Sequence, residues 1–457
     1  NNWCLELIKM SGEEANSMLQ SVMKHHHMQM PWHNFTPDNS NTPAKRATLK
    51  EKATLVGRVG IMLLSYGTGA WRVRDSMNTI ARELNISCSA DVGLVSIEYT
   101  CVDEEGHGYT QALSLASTGV NTDKLSEMEQ FVMDFNKGGS DLSAEQIHEI
   151  LDEIERKPGH YTAIMAGLAA ASACCAFVFL LGGGLVEMLC SFVGAGFGNY
   201  IRRKMIERRI TLLACVSVSV AVACIFYLIA FKSLVAIMHV SLQHEAGYIG
   251  AMLFVIPGFP FITSGLDIAK LDMRSGLERM MYAIMIITVA TLVGWVVAMA
   301  VHLKPVNFIP LDLGVIPMML LRIPASFVGV FGFSIMFNST IEMATWAGII
   351  GAIANTLRLE LVDLTNIPAG AAAFTAALVA GLLASLIKGY PRISLTVPSI
   401  VIMVPGLYMY RAVYNIGVAS INVGATWLTE AALIVMFLPL GLITARILTD
   451  KKWRYKD

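Results

Sequence analysis

Apolar and polar positions follow one rule in the first third of this chain and another beyond about residue 160. From Thr48 to about Leu84 apolar residues recur at helical spacing, interrupted by YGTG at 66–69, which predicts two helices with a glycine break. VGLVSIEYTCVD (92–103) and YTQALSLAST (109–118) alternate with a period of two around the turn signal DEEGHG, which predicts a β-hairpin. NTDKLSEMEQFVMDF and SAEQIHEILDEIERK each open on an N-cap residue with acids in the first turn, which predicts two amphipathic helices. Residues 47–158 therefore read as a small α+β domain. The polar, Pro-containing stretch 1–46 ahead of it, with HHH at 25–27, reads as a disordered tail, and no signal peptide is expected.

After residue 160 the alternation gives way to long apolar runs. Tyr161 to Ile201 holds one acid, Glu187, and is interrupted by GGG at 182–184, so it predicts two membrane spans joined by a tight turn. Charge-free stretches follow from Ile210 to Phe231, Ala246 to Leu266, Met280 to Val301, Ile323 to Ile341, Met343 to Leu357, Leu364 to Ile387, Ile393 to Tyr410 and Ala431 to Ala445, giving ten spans. Composition agrees: 54% hydrophobic residues, 15% charged and a mean hydropathy of +0.56 describe an α-helical integral membrane protein. If the α+β domain is cytosolic, the cytosolic loops hold RRKMIERR (202–209), then Lys270, Arg274 and Arg279, then Lys388 and Arg392, and finally the basic tail 451–457, as the positive-inside rule requires. Eight cysteines show no metal spacing, and neither GxSxG nor a P-loop occurs, so no cofactor, metal or catalytic residue is expected.

The apolar half repeats itself. VEMLCSFVGAGFGNYIRR (186–203) resembles IEMATWAGIIGAIANTLRL (341–359), pairing Glu187 with Glu342, Gly196 with Gly351 and, after a one-residue slip, Asn199 with Asn355 and Arg202 with Arg358. VIPGFPFITSGLDI matches MVPGLYMYRAVYNI, pairing Pro257-Gly258 with Pro405-Gly406 and Asp267 with Asn415. Five spans per unit is an odd number, so two such units (159–304 and 305–450) would lie upside down relative to one another, the arrangement of secondary transporters that bind substrate at the repeat interface. Proline inside a span removes a helix donor, and the freed carbonyls cost several kcal/mol in hydrocarbon unless protein, water or ligand satisfies them. Simple kinks are the bland explanation of one such break; two at matching positions favour a site.

With RVGIMLLSYGTGAWRVRDSMNTIA, PGFPFITSGLDIAKLDMRSGLERM and VPSIVIMVPGLYMYRAVYN in view, the chain resembles the threonine/serine exporter family over about residues 50–447. That resemblance implies a soluble N-terminal domain and five spans followed by a second five-span module, and export of small hydrophilic metabolites, threonine and serine in some members and succinate in two-component relatives, driven by the membrane potential or a proton gradient. Where the family reads Gly-Ala-Glu ahead of an aromatic residue and Arg, this chain has Gly67, Thr68 and Gly69 before Trp71 and Arg72.

The expected substrate site is built from Pro257, Gly258, Pro260 and Thr263 of one repeat and Pro405, Gly406, Tyr408 and Arg411 of the other, with Asn199 and Asn355 nearby. Glu187, Glu342, Asp267 and Arg358 are the expected proton or charge partners, and Arg72 and Asp75 the expected regulatory pair. The partners expected are a small-molecule substrate, protons and the bilayer of the plasma membrane, with both termini cytosolic, no nucleic acid, and a homo-oligomer compatible with the pattern. The rival readings are a dicarboxylate exporter of the same build, a channel, and a membrane-anchored hydrolase or scaffold.

Overall fold

The structure is a computed structural model that describes residues 30–36, 42–239, 242–303, 308, 311–418 and 420–455. HHH at 25–27 lies outside the described residues, as does most of the stretch read as a tail. Two compact units emerge. One takes the described residues up to Ser65 with Val73–Gly119 and Phe131–Glu155; the other takes Tyr66–Arg72, Val120–Gln130 and the chain from Arg156 onward.

In the first unit, α1 (Leu49–Ser65) packs on a three-stranded antiparallel meander of β1 (Ser87–Val92), β2 (Ser96–Val102) and β3 (Gly108–Ser114). Gly57 is required here: a Cβ on it would lie 2.1 Å from the Tyr99 hydroxyl, which reaches Gln111 Oε1 at 2.7 Å. The hairpin expected from the alternation is β2–β3. β1 was not expected, because SCSADV leaves most of its side chains at least partly exposed and so carries almost no apolar alternation. α2 (Ala70–Glu83), α3 (Thr122–Phe135) and α4 (Ala144–Arg156) coincide with the amphipathic patterns.

Buried Arg58 ties α1 to α4: Nη1 donates to His148 O at 2.9 Å and faces His148 Nδ1 at 3.1 Å, while Nη2 pairs with Asp152 and, at 3.1 Å, with Glu155. Burial and the neighbouring guanidinium push His148 down to about 3, so the ring stays neutral and accepts from Arg58. The described residues of the stretch read as a tail include two short turns. Trp32–Phe35 and Ala44–Arg46 form 3-10 turns, because Trp32 lies over Arg58 at 5.7 Å, His33 Nδ1 bonds Glu145 at 2.6 Å, and Pro43 bridges Ser143.

Among the described residues from Ala163 onward the second unit is mostly helical: α5 (Ala163–Leu180), α6 (Leu185–Glu207), α7 (Leu212–Met238), a broken pair α8 (Tyr248–Ala251) and α9 (Gly258–Ala269), then α10 (Met273–Ala300). The same order follows again: α11 (Val315–Met336), α12 (Ile341–Leu364), α13 (Ala369–Ala384), a broken pair α14 (Arg392–Val401) and α15 (Gly406–Gly417), and α16 (Ile421–Thr449). Five of these helices are long and apolar enough to cross a membrane, seven if each bent pair counts as one. Large apolar side chains such as Ile229, Met281, Leu292, Leu320 and Met436 face outward, an arrangement that suits hydrocarbon as solvent. The molecule is therefore a multi-pass membrane protein.

Gly182, at φ +93°, turns the chain between α5 and α6 in the left-handed region that a side chain would resist. The two units interleave along the chain. Tyr66–Arg72 and Val120–Gln130 belong to the helical unit, where the Thr122 and Ser339 hydroxyls meet at 2.7 Å and Asn338 Nδ2 donates to Asn121 Oδ1 at 3.1 Å.

Candidate functional site

The two breaks share one backbone. Pro257 sits at φ −81°, ψ 58° and Pro405 at φ −82°, ψ 58°, each the centre of an inverse γ-turn closed by the next glycine: Gly258 N–H donates to Ile256 O and Gly406 N–H to Val404 O, both at 2.8 Å. The turn suits proline, whose ring fixes φ and which has no donor to lose. The half-helices bend by 51° at the first break and 50° at the second.

These breaks also pack on one another. A Cβ at Gly258 would lie 2.4 Å from Val401 Cγ2 and 3.2 Å from Val404 Cγ2; one at Gly406 would lie 1.8 Å from Ile256 Cδ1 and 3.1 Å from Leu253 Cδ2. Each glycine thus admits the apolar residues that precede the other proline. The space beside each glycine is therefore occupied by apolar side chains of the other break. Thr263, fully buried, returns its hydroxyl to Phe259 O at 3.0 Å, and Pro260 is half-buried beside it.

Beyond the breaks, the expected residues separate into distinct groups. Asn199 on α6 donates to Ala166 O of α5 at 2.7 Å, and Asn355 on α12 donates to Ser326 Oγ of α11 at 2.9 Å, so both fasten the first two helices of their set. Arg358 Nε donates back to Asn355 Oδ1 at 3.0 Å. Tyr408 is the phenol within electrostatic reach of both Arg358 and Arg411, and Trp427 receives the Tyr408 ring at 5.0 Å and the Arg411 guanidinium at 4.9 Å.

Glu187 is buried, caps α6 through Gly184 N–H at 3.0 Å and lies 2.7 Å from His244 Nδ1. Its expected counterpart Glu342 is exposed and shares a hydrogen bond with Tyr390. Asp267, fully buried, is already bound: Ala70 N–H at 3.0 Å, Ser275 Oγ at 2.9 Å and Arg279 Nε at 3.1 Å surround its carboxylate, and Arg279 Nη2 donates to Thr68 O at 2.7 Å. Arg72 and Asp75 fall on either side of the division between units; Arg72 pairs with Glu129 through two bonds of 2.5 and 2.6 Å.

Sequence reasoning missed Arg279 as the partner of Asp267, although the charge was visible at the start of a span. It also missed the buried hydroxyl pair Tyr248–Tyr410, 2.7 Å apart, which joins the first half of one broken span to the second half of the other. Tyrosines in apolar runs carry no pairing signal.

A family model described as "Putative threonine/serine exporter" matches residues 54–302, and a second, "Threonine/Serine exporter, ThrE", matches residues 322–448. The chain is similar to a Mycobacterium tuberculosis protein named "Probable threonine/serine exporter", 25% identical over 419 residues, covering 86% of this chain and 75% of that one. It is also similar to the "Probable succinate transporter subunit YjjP" of Escherichia coli, 23% identical over 252 residues, covering 53% of this chain and 91% of that subunit. No solved structure matches. The family matches span both halves of the helical unit, including each broken pair, and the chain belongs to the threonine/serine exporter family.

Proposed function

We propose that this protein is a secondary active exporter of small carboxylate-bearing metabolites, threonine and serine first, coupled to the proton-motive force. The observation that carries the reading is the pair of Pro-Gly breaks with matching backbone and bend, packed on each other. In this reading the helices after residue 160, each broken pair counted once, form two inverted five-helix repeats in the plasma membrane with both termini cytosolic, and the breaks meet near the midplane. Half-helix N-termini there carry about half a positive charge each and suit a carboxylate. Rocking of one repeat against the other would separate the breaks and open the site, with the reciprocal glycine contacts closing it in the state described. Glu187, buried with His244, is the best-placed proton carrier among the expected acids, since Asp267 is committed to Arg279 and Glu342 is exposed.

A second reading, export of a dicarboxylate such as succinate, gains support from Arg358 and Arg411 converging on Tyr408, since two cations suit a dianion. The test is flux from proteoliposomes preloaded with labelled threonine, serine or succinate, with and without an imposed pH gradient. Gradient-stimulated efflux of one of these supports the reading and chooses the substrate. Efflux of none, in vesicles shown to hold folded protein, refutes it.

A further inference from the structure

Two thiols of the α+β unit face each other across its sheet. Cys88 of β1 and Cys101 of β2 stand directly opposite in the antiparallel register. Hydrogen-bonded and non-bonded positions alternate along such a pair of strands. Gly93 N–H donates to Ser96 O at 2.8 Å, which makes 93–96 a bonded position, and alternation from there makes 88–101 a non-bonded one. The other side of β2 agrees: Asp103 N–H donates to His107 O at 3.1 Å, so Cys101, two residues before it, turns its backbone groups toward Tyr109 of β3. Non-bonded positions are the close ones, with Cα atoms about 4.5 Å apart, and a disulfide spans Cα separations of about 4.4–6.8 Å. Both cysteines are free thiols in the state described, and the register already brings them within bridging distance.

The two thiols differ in reach and in acidity. Cys101 is fully buried, on the face of β2 that also carries Ile97 and Tyr99. Cys88 is half-buried, on the edge strand of a sheet ordered β1-β2-β3. A hydrogen bond from the Cys101 thiol holds Cys88 below the usual thiol range, while the same bond and burial push Cys101 up. Thiolate character and access together make a cysteine reactive, and a buried thiol beside it suits the resolving role. The other described cysteines sit on α5, α6 and α7 of the helical unit.

We propose that Cys88 and Cys101 form a reversible oxidation site, at which a peroxide converts two thiols into one bridge between β1 and β2. The Cys88 thiolate attacks one peroxide oxygen, the O–O bond breaks, hydroxide leaves, and Cys88 becomes a sulfenic acid. The Cys101 sulfur then attacks Cys88 Sγ: the S–S bond forms, the S–O bond breaks, and the oxygen departs as water with the Cys101 proton. Two electrons pass from the thiols to the peroxide. A small-molecule thiol reverses the bridge by exchange, entering from the exposed edge and leaving as its own disulfide. Cys88 lies near the start of β1 and Cys101 near the end of β2, so the bridge closes the open end of this hairpin, opposite its Gly93–Ser96 turn. The site belongs to the α+β unit, and its chemistry is independent of what the helical unit carries.

Purified full-length protein is exposed to hydrogen peroxide, alkylated, and cut after glutamate without reduction. Cleavage at Glu83, Glu98 and Glu104 places the two cysteines on separate peptides, 84–98 and 99–104, so the bridge appears as one linked mass that dithiothreitol splits in two. In Cys101→Ser a sulfenic acid should accumulate on Cys88, where dimedone traps it; in Cys88→Ser oxidation of Cys101 should slow at least tenfold. Should either serine variant lose its gel-filtration peak, the alanine variant takes its place, and the linked mass from the unaltered chain decides in any case. Amide exchange across β1 should slow severalfold on bridging and recover with dithiothreitol. Absence of the linked mass from folded, peroxide-treated protein overturns the site, as does Cys88 linked instead to another cysteine. Oxidation of Cys101 as fast without Cys88 as with it overturns the assignment of attacking and resolving thiols, and exchange unaltered by the bridge overturns its hold on the hairpin.

Discussion

Replacing Gly406 by Ala tests whether the two breaks lean on each other. The new Cβ would sit 1.8 Å from Ile256 Cδ1 and 3.1 Å from Leu253 Cδ2, so Ile256 has to leave its place. Overpacking of this kind costs about 1–3 kcal/mol. Ile256→Val alone removes the Cδ1 methyl and costs about 0.5–1.5 kcal/mol. If the two positions were independent, the double variant would lose the sum. The structure says otherwise, because the methyl deleted by valine is the one the new Cβ strikes, and the remaining approaches are 3.1 and 3.2 Å. The double variant should therefore be more stable than Gly406→Ala alone, with a coupling of about 1–2 kcal/mol in its favour. Gly258→Ala combined with Ile256→Val is the control: Gly258 faces Val401 and Val404, so that pair should add within about 0.5 kcal/mol. Unfolding of the purified protein in mixed micelles gives the four corners of each cycle. Additivity of Gly406→Ala with Ile256→Val would refute the reciprocal packing, and with it the account of how the two breaks close on one another.

Three further outcomes follow from the same structure. His148 is held neutral with its value lowered to about 3 against 6.5 when unfolded, so the unfolded chain binds more protons below pH 6.5 and stability falls as the pH drops; between pH 7 and 5 the loss is about 2 kcal/mol, read as a pH-dependent melting shift that His148→Asn removes. Asp267→Ala strands buried Arg279 and should cost about 3–5 kcal/mol, whereas Asp267→Asn, still able to accept from Ala70 N–H, should cost less in the same melting assay. Asn199→Ala and Asn355→Ala should each cost about 0.6–1.7 kcal/mol in stability; a variant that melts normally yet loses transport would place that asparagine at the substrate instead.

What the sequence by itself determined was local. Apolar runs and their glycine and proline interruptions marked the helical elements and both breaks, since a missing N–H or a left-handed turn is a property of the residue in place. The strands β2 and β3 were legible from their alternation, and β1 was not, because its side chains are largely solvated and nothing selects for apolar residues there. The internal repeat was legible as matched short strings. What only the tertiary structure decided was which of those residues face one another. Gly258 and Gly406, expected at the substrate site, lie against Val401 and Ile256 from the other break. Asp267, expected as a proton or charge partner, is bound by Arg279 and by the N–H of Ala70, nearly two hundred residues away in the chain. Arg446, at the end of an apolar run, meets Trp71 from the far end of the sequence. Periodicity records how a segment meets its solvent, water or lipid, but a buried polar contact depends on two segments whose separation along the chain leaves no period to read.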